Sequence, residues 1–216
     1  MALRILPFRQ YDEKDVVNLY ALQLDDGASL DNPSANGDND AGVFVKVTSA
    51  DLNAGPVEYV DNSYLGKTDY PHIGRDQYPV VPLKIQPASG GNDCLGMTMY
   101  QTANYDENGE KLLYYPVKKD EMQAVLSGEA VPVATKGVFT LANSAVDGDL
   151  TPGSPVALSA NAGKVTGASH GDANDGSTTI VGSCLASGSR TAIGTADQFA
   201  GAAGSTGNYY VVKINL

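Results

Sequence analysis

The chain has 216 residues, a formal net charge of −11, two histidines, two cysteines and no tryptophan. That length can bury a core without help from disulfides or a structural metal, and the acidity excludes nucleic acid, which demands a basic face for counterion release. No run approaches the roughly eighteen apolar residues of a membrane helix, and the stretch Met1–Phe8 is too short to be a secretory leader. A soluble protein made in the cytoplasm, with no membrane partner, is therefore expected.

Composition points to strands. Glycine (24) and proline (11) are frequent, tyrosine (12) is plentiful, and Leu/Glu/Lys/Arg-rich helical runs are almost missing. Many short apolar segments punctuated by Gly, Pro, Asn and Asp predict an all-β fold. The expected form is a small β-barrel or β-sandwich, β-tulip-like, with an extended N-terminal arm and one short helix. Residues 1–24 hold the arm and first strand, 25–128 a β-rich region with long loops and the helix, and 129–216 a C-terminal β region of the same domain.

Along the chain, Pro7 excludes one long helix from the start. An arm leading into a strand at 16–24 is expected instead. Residues 25–42 read as a polar loop. Val43, Val45 and Val47 alternate as one face of a strand over 42–48. Residues 55–79 read as irregular, and 80–86 as a strand that Pro82 assigns to a sheet edge. Asn108-Gly109 marks a hairpin between 94–103 and 111–115. Met122, Val125 and Leu126 predict a helix over 118–126 that stops at Gly128. Further strands are expected at 131–140 (broken at Gly137), 154–158, 164–166, 178–185 and 209–214, with a surface loop over 186–208. Cys94–Thr98 and Ile180–Cys184 echo each other, each with glycine in an apolar strand, but no fixed-period repeat exists.

Little of this sequence carries chemistry. Cys94 and Cys184 lack a CxxC spacing, and two reduced, half-buried thiols fit better than a disulfide. His72 and His170 read as surface histidines, with no ligand spacing for zinc. Residues 36–47 begin like a calcium loop but place Ala41 where the turn glycine belongs and Val47 where the closing glutamate belongs. A solvated loop is expected there, and a plain hairpin turn at 106–110. No nucleophile elbow, phosphate loop or dinucleotide fingerprint is present. No catalytic residue, metal ligand or cofactor is assigned, and an enzyme is not expected.

Five segments of the C-terminal part occur in a recognisable order. They are Gly137-Val138-Phe139-Thr140-Leu141, Gly153-Ser154-Pro155-Val156-Ala157-Leu158, Ala162-Gly163-Lys164-Val165-Thr166, Ile180-Val181-Gly182-Ser183-Cys184-Leu185 and Tyr209 to Leu216. Together, over about residues 129 to 216, they resemble the head-decoration (cement) proteins of tailed-phage capsids. The long N-terminal portion and the Gly/Ala/Ser-rich stretch 186–208 exceed the compact members of that family.

The resemblance implies a structural virion protein on the outer capsid surface. It would contact the major capsid protein as a homo-oligomer, a trimer being favoured. The family's N-terminal arms suggest Leu3, Arg4, Ile5, Leu6, Phe8, Arg9 and Tyr11 as the capsid-binding residues. The residues themselves agree on one point: an exposed apolar-basic arm needs a cover, supplied either by a partner's sheet or by its own domain as a first strand. Deletion of residues 1–12 is expected to leave the β domain folded. The alternatives are another virion or cell-surface β-protein, such as a fibre, adhesin or glycan-binding module, and an enzyme on a β scaffold.

Overall fold

Alternation along the last strand shows how the chain builds its sheets. From Asn208 to Asn215, Tyr210, Val212 and Ile214 are buried while Asn208, Lys213 and Asn215 face water, the period-two pattern of a strand with one covered face. The computed structural model describes residues 4–23, 39–49, 58–59, 79–81, 83–106, 108–171, 178–189 and 208–216. In chain order the elements are β1 (Ile5–Gln10), β2 (Val16–Val17), β3 (Ala21–Leu22), β4 (Phe44–Ser49), β5 (Glu58–Tyr59), β6 (Pro79–Val80), β7 (Lys84–Pro87), β8 (Gly96–Thr98) and β9 (Gln101–Thr102). After these come α1 (Pro116–Glu121), β10 (Ala124–Val125), β11 (Val133–Ala134), β12 (Lys136–Ala142), β13 (Val146–Asp147), β14 (Pro155–Leu158), β15 (Val165–Gly167), β16 (Ile180–Ser189) and β17 (Asn208–Asn215).

Two open sheets dominate. One has seven strands in the order β1-β12-β17-β16-β14-β15-β13, the other six in the order β2-β11-β8-β4-β7-β3. The fold is all-β, as expected, and no barrel closes among the described residues. The sheets share a core: Phe44, Met97 and Ala134 from the six-stranded sheet meet Phe139, Leu141, Val156, Val181, Val212 and Ile214 from the seven-stranded one. The next residues along the same strands point the other way. Val43, Val45, Ile85 and Val133 join Leu22, Val125 and Val131 in a second cluster. The six-stranded sheet thus contributes side chains to a buried cluster on each of its faces. A third, small cluster of Ala103, Leu112, Ala124 and Leu126 lies beneath α1.

Several local expectations change. Val43 and Val45 are buried together, but Val47 is exposed where the β4–β7 register slips between Val47 and Ser49. The predicted strand 80–86 divides into β6, paired with β5, and β7, which lies between β4 and β3 and so is not an edge; Pro82 itself falls outside the described residues. Residues 112–114 form a 3-10 turn rather than a strand. The helix starts earlier, with Pro116 in its first turn, and ends at Glu121. Met122 and Leu126 then cover the small cluster while Val125, in β10, joins the second core. Their spacing reflects a turn feeding a strand. In the predicted loop 186–208, residues 186–189 continue β16 and 190–207 lie outside the described residues.

The two echoing glycines mark close backbone approaches. A Cβ on Gly96 would sit 2.4 Å from the Ala134 carbonyl oxygen, and one on Gly182 would sit 1.9 Å from that of Lys213. Neither carbonyl can retreat without opening its strand pair. Gly182→Ala is therefore expected to destabilise the protein by at least about 1–3 kcal/mol, the usual range for overpacking. Urea unfolding followed by circular dichroism checks this, and an unchanged midpoint would show that the β16–β17 approach is looser than described.

Candidate binding surface

The N-terminal segment is built into the body of the protein from its first described residue. The Arg4 side chain is only 2% exposed and its Nε lies 3.7 Å from Asp40 Oδ2, whose side chain is 6% exposed. Arg4 Nη1 donates to the Gly163 carbonyl at 3.2 Å, and Ala142 N–H donates to the Arg4 carbonyl at 2.8 Å. Gly42, at φ +90°, makes room: a Cβ there would lie 2.9 Å from Arg4 Cβ and 2.8 Å from Ile5 Cγ1. Ile5 enters the main core. Breaking a buried ion pair by removing one partner costs about 3–5 kcal/mol, because the other charge is left behind. Arg4 and Ile5 thus face the interior and offer nothing to a partner in this conformation. Deletion of residues 1–12 would remove this pair and a whole strand, so the expectation that it spares the β domain does not survive.

Beyond Ile5 the strand turns outward. Leu6 and Arg9 are half-buried, Pro7 and Gln10 exposed, and Phe8 is 65% exposed. Tyr11 is 41% exposed, yet its ring stacks on buried Phe139, with centroids 5.9 Å apart and planes 16° apart. Leu3 falls outside the described residues. β1 is an edge strand whose register with β12 slips between Ile5 and Arg9. The slip and Pro7, which has no N–H to donate, are devices that blunt an edge against strand addition. A partner on this edge is better met by the projecting side chains than by backbone pairing.

A second outward-facing group was not legible in the sequence. Tyr114, Tyr115 and Val117 are exposed at the start of α1, Val117 at 71%. None of the α1 residues is buried. Ion pairs hold the helix instead, among them Lys118 to Asp106 and Lys119 to Glu129 at 3.0 Å. Asp106 also ties the Asn-Gly hairpin, its Oδ1 accepting the N–H groups of Asn108 and Glu110 at 2.8 Å each. Arg9 connects the two groups, its Nη2 donating to Gln123 Oε1 at 3.3 Å.

Carboxylates whose ionisation is shifted serve as fasteners, at the α1 lobe and, in β13, at the far edge of the seven-stranded sheet. The Lys118 bond and the hairpin amides hold the Asp106 carboxyl below its ordinary value. Ser159 Oγ and Asn161 Nδ2 do the same for Asp147, at 2.6 and 2.7 Å. Cys94 and Cys184 are free; burial pushes the Cys94 thiol up to about 12 and raises that of Cys184. Asn39 and Asp40, expected in a solvated loop, are buried, while 36–38 and His72 fall outside the described residues. Among the described residues no cluster of three or more His, Cys, Asp or Glu side chains could hold a metal. No protein-family model, curated protein or solved structure gives a significant match to the chain.

Because the folded Asp106 value lies below its unfolded one, its stabilisation is complete above the unfolded value, about 3.9, and is lost as pH falls through the folded value. Wild type should therefore exceed Asp106→Asn in stability by a constant margin near neutrality. The margin should shrink once pH drops below about 4. Parallel denaturation curves at neutral and acid pH measure it, and a pH-independent margin would show that the carboxylate charge is not what ties hairpin to helix.

Proposed function

We propose that the chain is a structural virion protein that binds the outer surface of an assembled tailed-phage capsid and stabilises it without catalytic chemistry. It acts as a homo-oligomer, a trimer being favoured, with its N-terminal segment against the major capsid protein. The observation that carries the proposal is the outer side of β1, where Phe8 projects from a blunted edge that Arg4 fastens to the core. An aromatic side chain on a rigid support is the kind of anchor that dominates protein interfaces. Arginine, present as Arg9, is also enriched there.

The C-terminal resemblance adds support. Its five segments overlap β12, β14, β15, β16 and β17, which lie side by side in one sheet in the order β12-β17-β16-β14-β15. Binding through several protomers does not require tight single contacts, since tethered sites raise one another's effective concentration. The net charge of −11 would favour a basic receiving surface.

The test is co-sedimentation of the purified protein with expanded shells that lack it, titrated to saturation. Saturable binding at a fixed copy number per capsomer is expected. Phe8→Ala, at a position 65% exposed, should leave the fold intact and weaken binding by about 1–3 kcal/mol. Failure to bind cognate shells would overturn the proposal, and glycan binding in its place would favour a fibre or glycan-binding module.

A further inference from the structure

Among the described residues, left-handed backbone is reserved for glycine with one exception. Eight glycines adopt φ between +75° and +144°, and the only other described residue with positive φ is Gln123, at +49°. Gln123 directly follows the α1 cap, the place where glycine ordinarily stops a helix because it has no Cβ to clash. Its backbone does nothing that glycine could not do: the N–H donates to the Asp120 carbonyl at 3.0 Å and the carbonyl accepts from Gln101 N–H at 3.1 Å. What glycine would lack is the side chain. That side chain is exposed, and its Oε1 accepts a hydrogen bond from Arg9 Nη2 in β1, 114 positions away. A disfavoured conformation kept at one chosen position points to a use for the side chain held there.

We infer that Gln123 is a positioning residue for the β1 contact surface, fixing Arg9 and so the strand beside Phe8 against the α1 lobe. The inference rests on the proposed capsid binding and adds a residue to it. Among the described residues, five of the eight exposed large apolar side chains lie on or directly beside the two elements this bond links: Phe8 and Tyr11 at β1, and Tyr114, Tyr115 and Val117 at the start of α1. Pre-ordering the support of such a surface lowers the conformational cost of binding. The tether acts on affinity, and the glycine that would relieve the backbone would loosen the surface.

Full-length Gln123→Gly and Gln123→Glu separate this from a purely structural role. Gln123→Gly should melt at or above the wild-type temperature and bind expanded shells about three- to tenfold more weakly, the worth of one hydrogen bond. Gln123→Glu keeps the reach to Arg9 and should bind like wild type. Wild-type affinity in Gln123→Gly, or equal losses in both variants, would overturn the inference. So would a marked fall in the Gln123→Gly melting temperature, which would make the residue a support of the lobe alone. If wild type itself does not bind shells, the capsid proposal fails, and melting decides the tether separately. Gln123→Gly should then raise the melting temperature more in an Arg9→Ala background than in wild type, and equal increments would rule the tether out.

Discussion

The buried pair of Arg4 and Asp40 joins three distant parts of the chain. It connects the start of β1, the approach to β4 and, through the Gly163 carbonyl, the turn before β15. A pair of charges that both lie inside the protein is held by mutual attraction and by the hydrogen bonds around it, and neither partner can leave alone at small cost. The backbone is shaped for this contact at Gly42, where any side chain would strike Arg4 or Ile5. From that fixed point the rest of the N-terminal segment follows. Ile5 enters the core, β1 runs along β12, and the residues after Leu6 are carried outward on the sheet edge.

That constraint changes the mechanical character of the segment. A flexible arm would lose conformational entropy on meeting a partner. A strand already ordered by its own sheet has met that cost in folding and presents Phe8 on a stiff support. The slip opposite β12 and the missing N–H of Pro7 discourage a neighbouring strand from continuing the sheet. The same features suit an edge that contacts a partner through side chains. The α1 lobe is held differently, by Lys118 and Lys119 pairing with acidic residues of the flanking turns and not by burial of the helix.

Much of the sheet was legible because period-two alternation and turn residues are local signals. The strands at 155–158, 165–167, 180–189 and 208–215 fall near the expected places for that reason, whereas the expected break at Gly137 falls instead at Thr135, between β11 in one sheet and β12, which runs through Gly137, in the other. The echo between Gly96 and Gly182 was visible too, and its cause is physical: in each case a neighbouring strand's carbonyl occupies the space of a side chain. The helix was misplaced because Met122, Val125 and Leu126 satisfy a helical spacing while serving a turn and a strand that cover two different clusters. The interior position of Arg4 was hidden because its partner lies in a segment whose Asn and Asp residues resemble an open loop. Gln123 carried no local signal at all, since its conformation and its bond to Arg9 exist only once β1 and α1 are brought together.

The account turns on β1 being a permanent part of the sheet and not an arm that waits for a partner. Hydrogen exchange on the free protein, read at the backbone amides of β1 and β12, tests that most directly. Pro7 has no amide, but those β1 amides that bond to β12 should exchange far more slowly than an unstructured chain, within the range set by other edge strands. Exchange of all β1 amides at unstructured rates, with β12 still protected by β17, would contradict the account and return the segment to the status of a free arm.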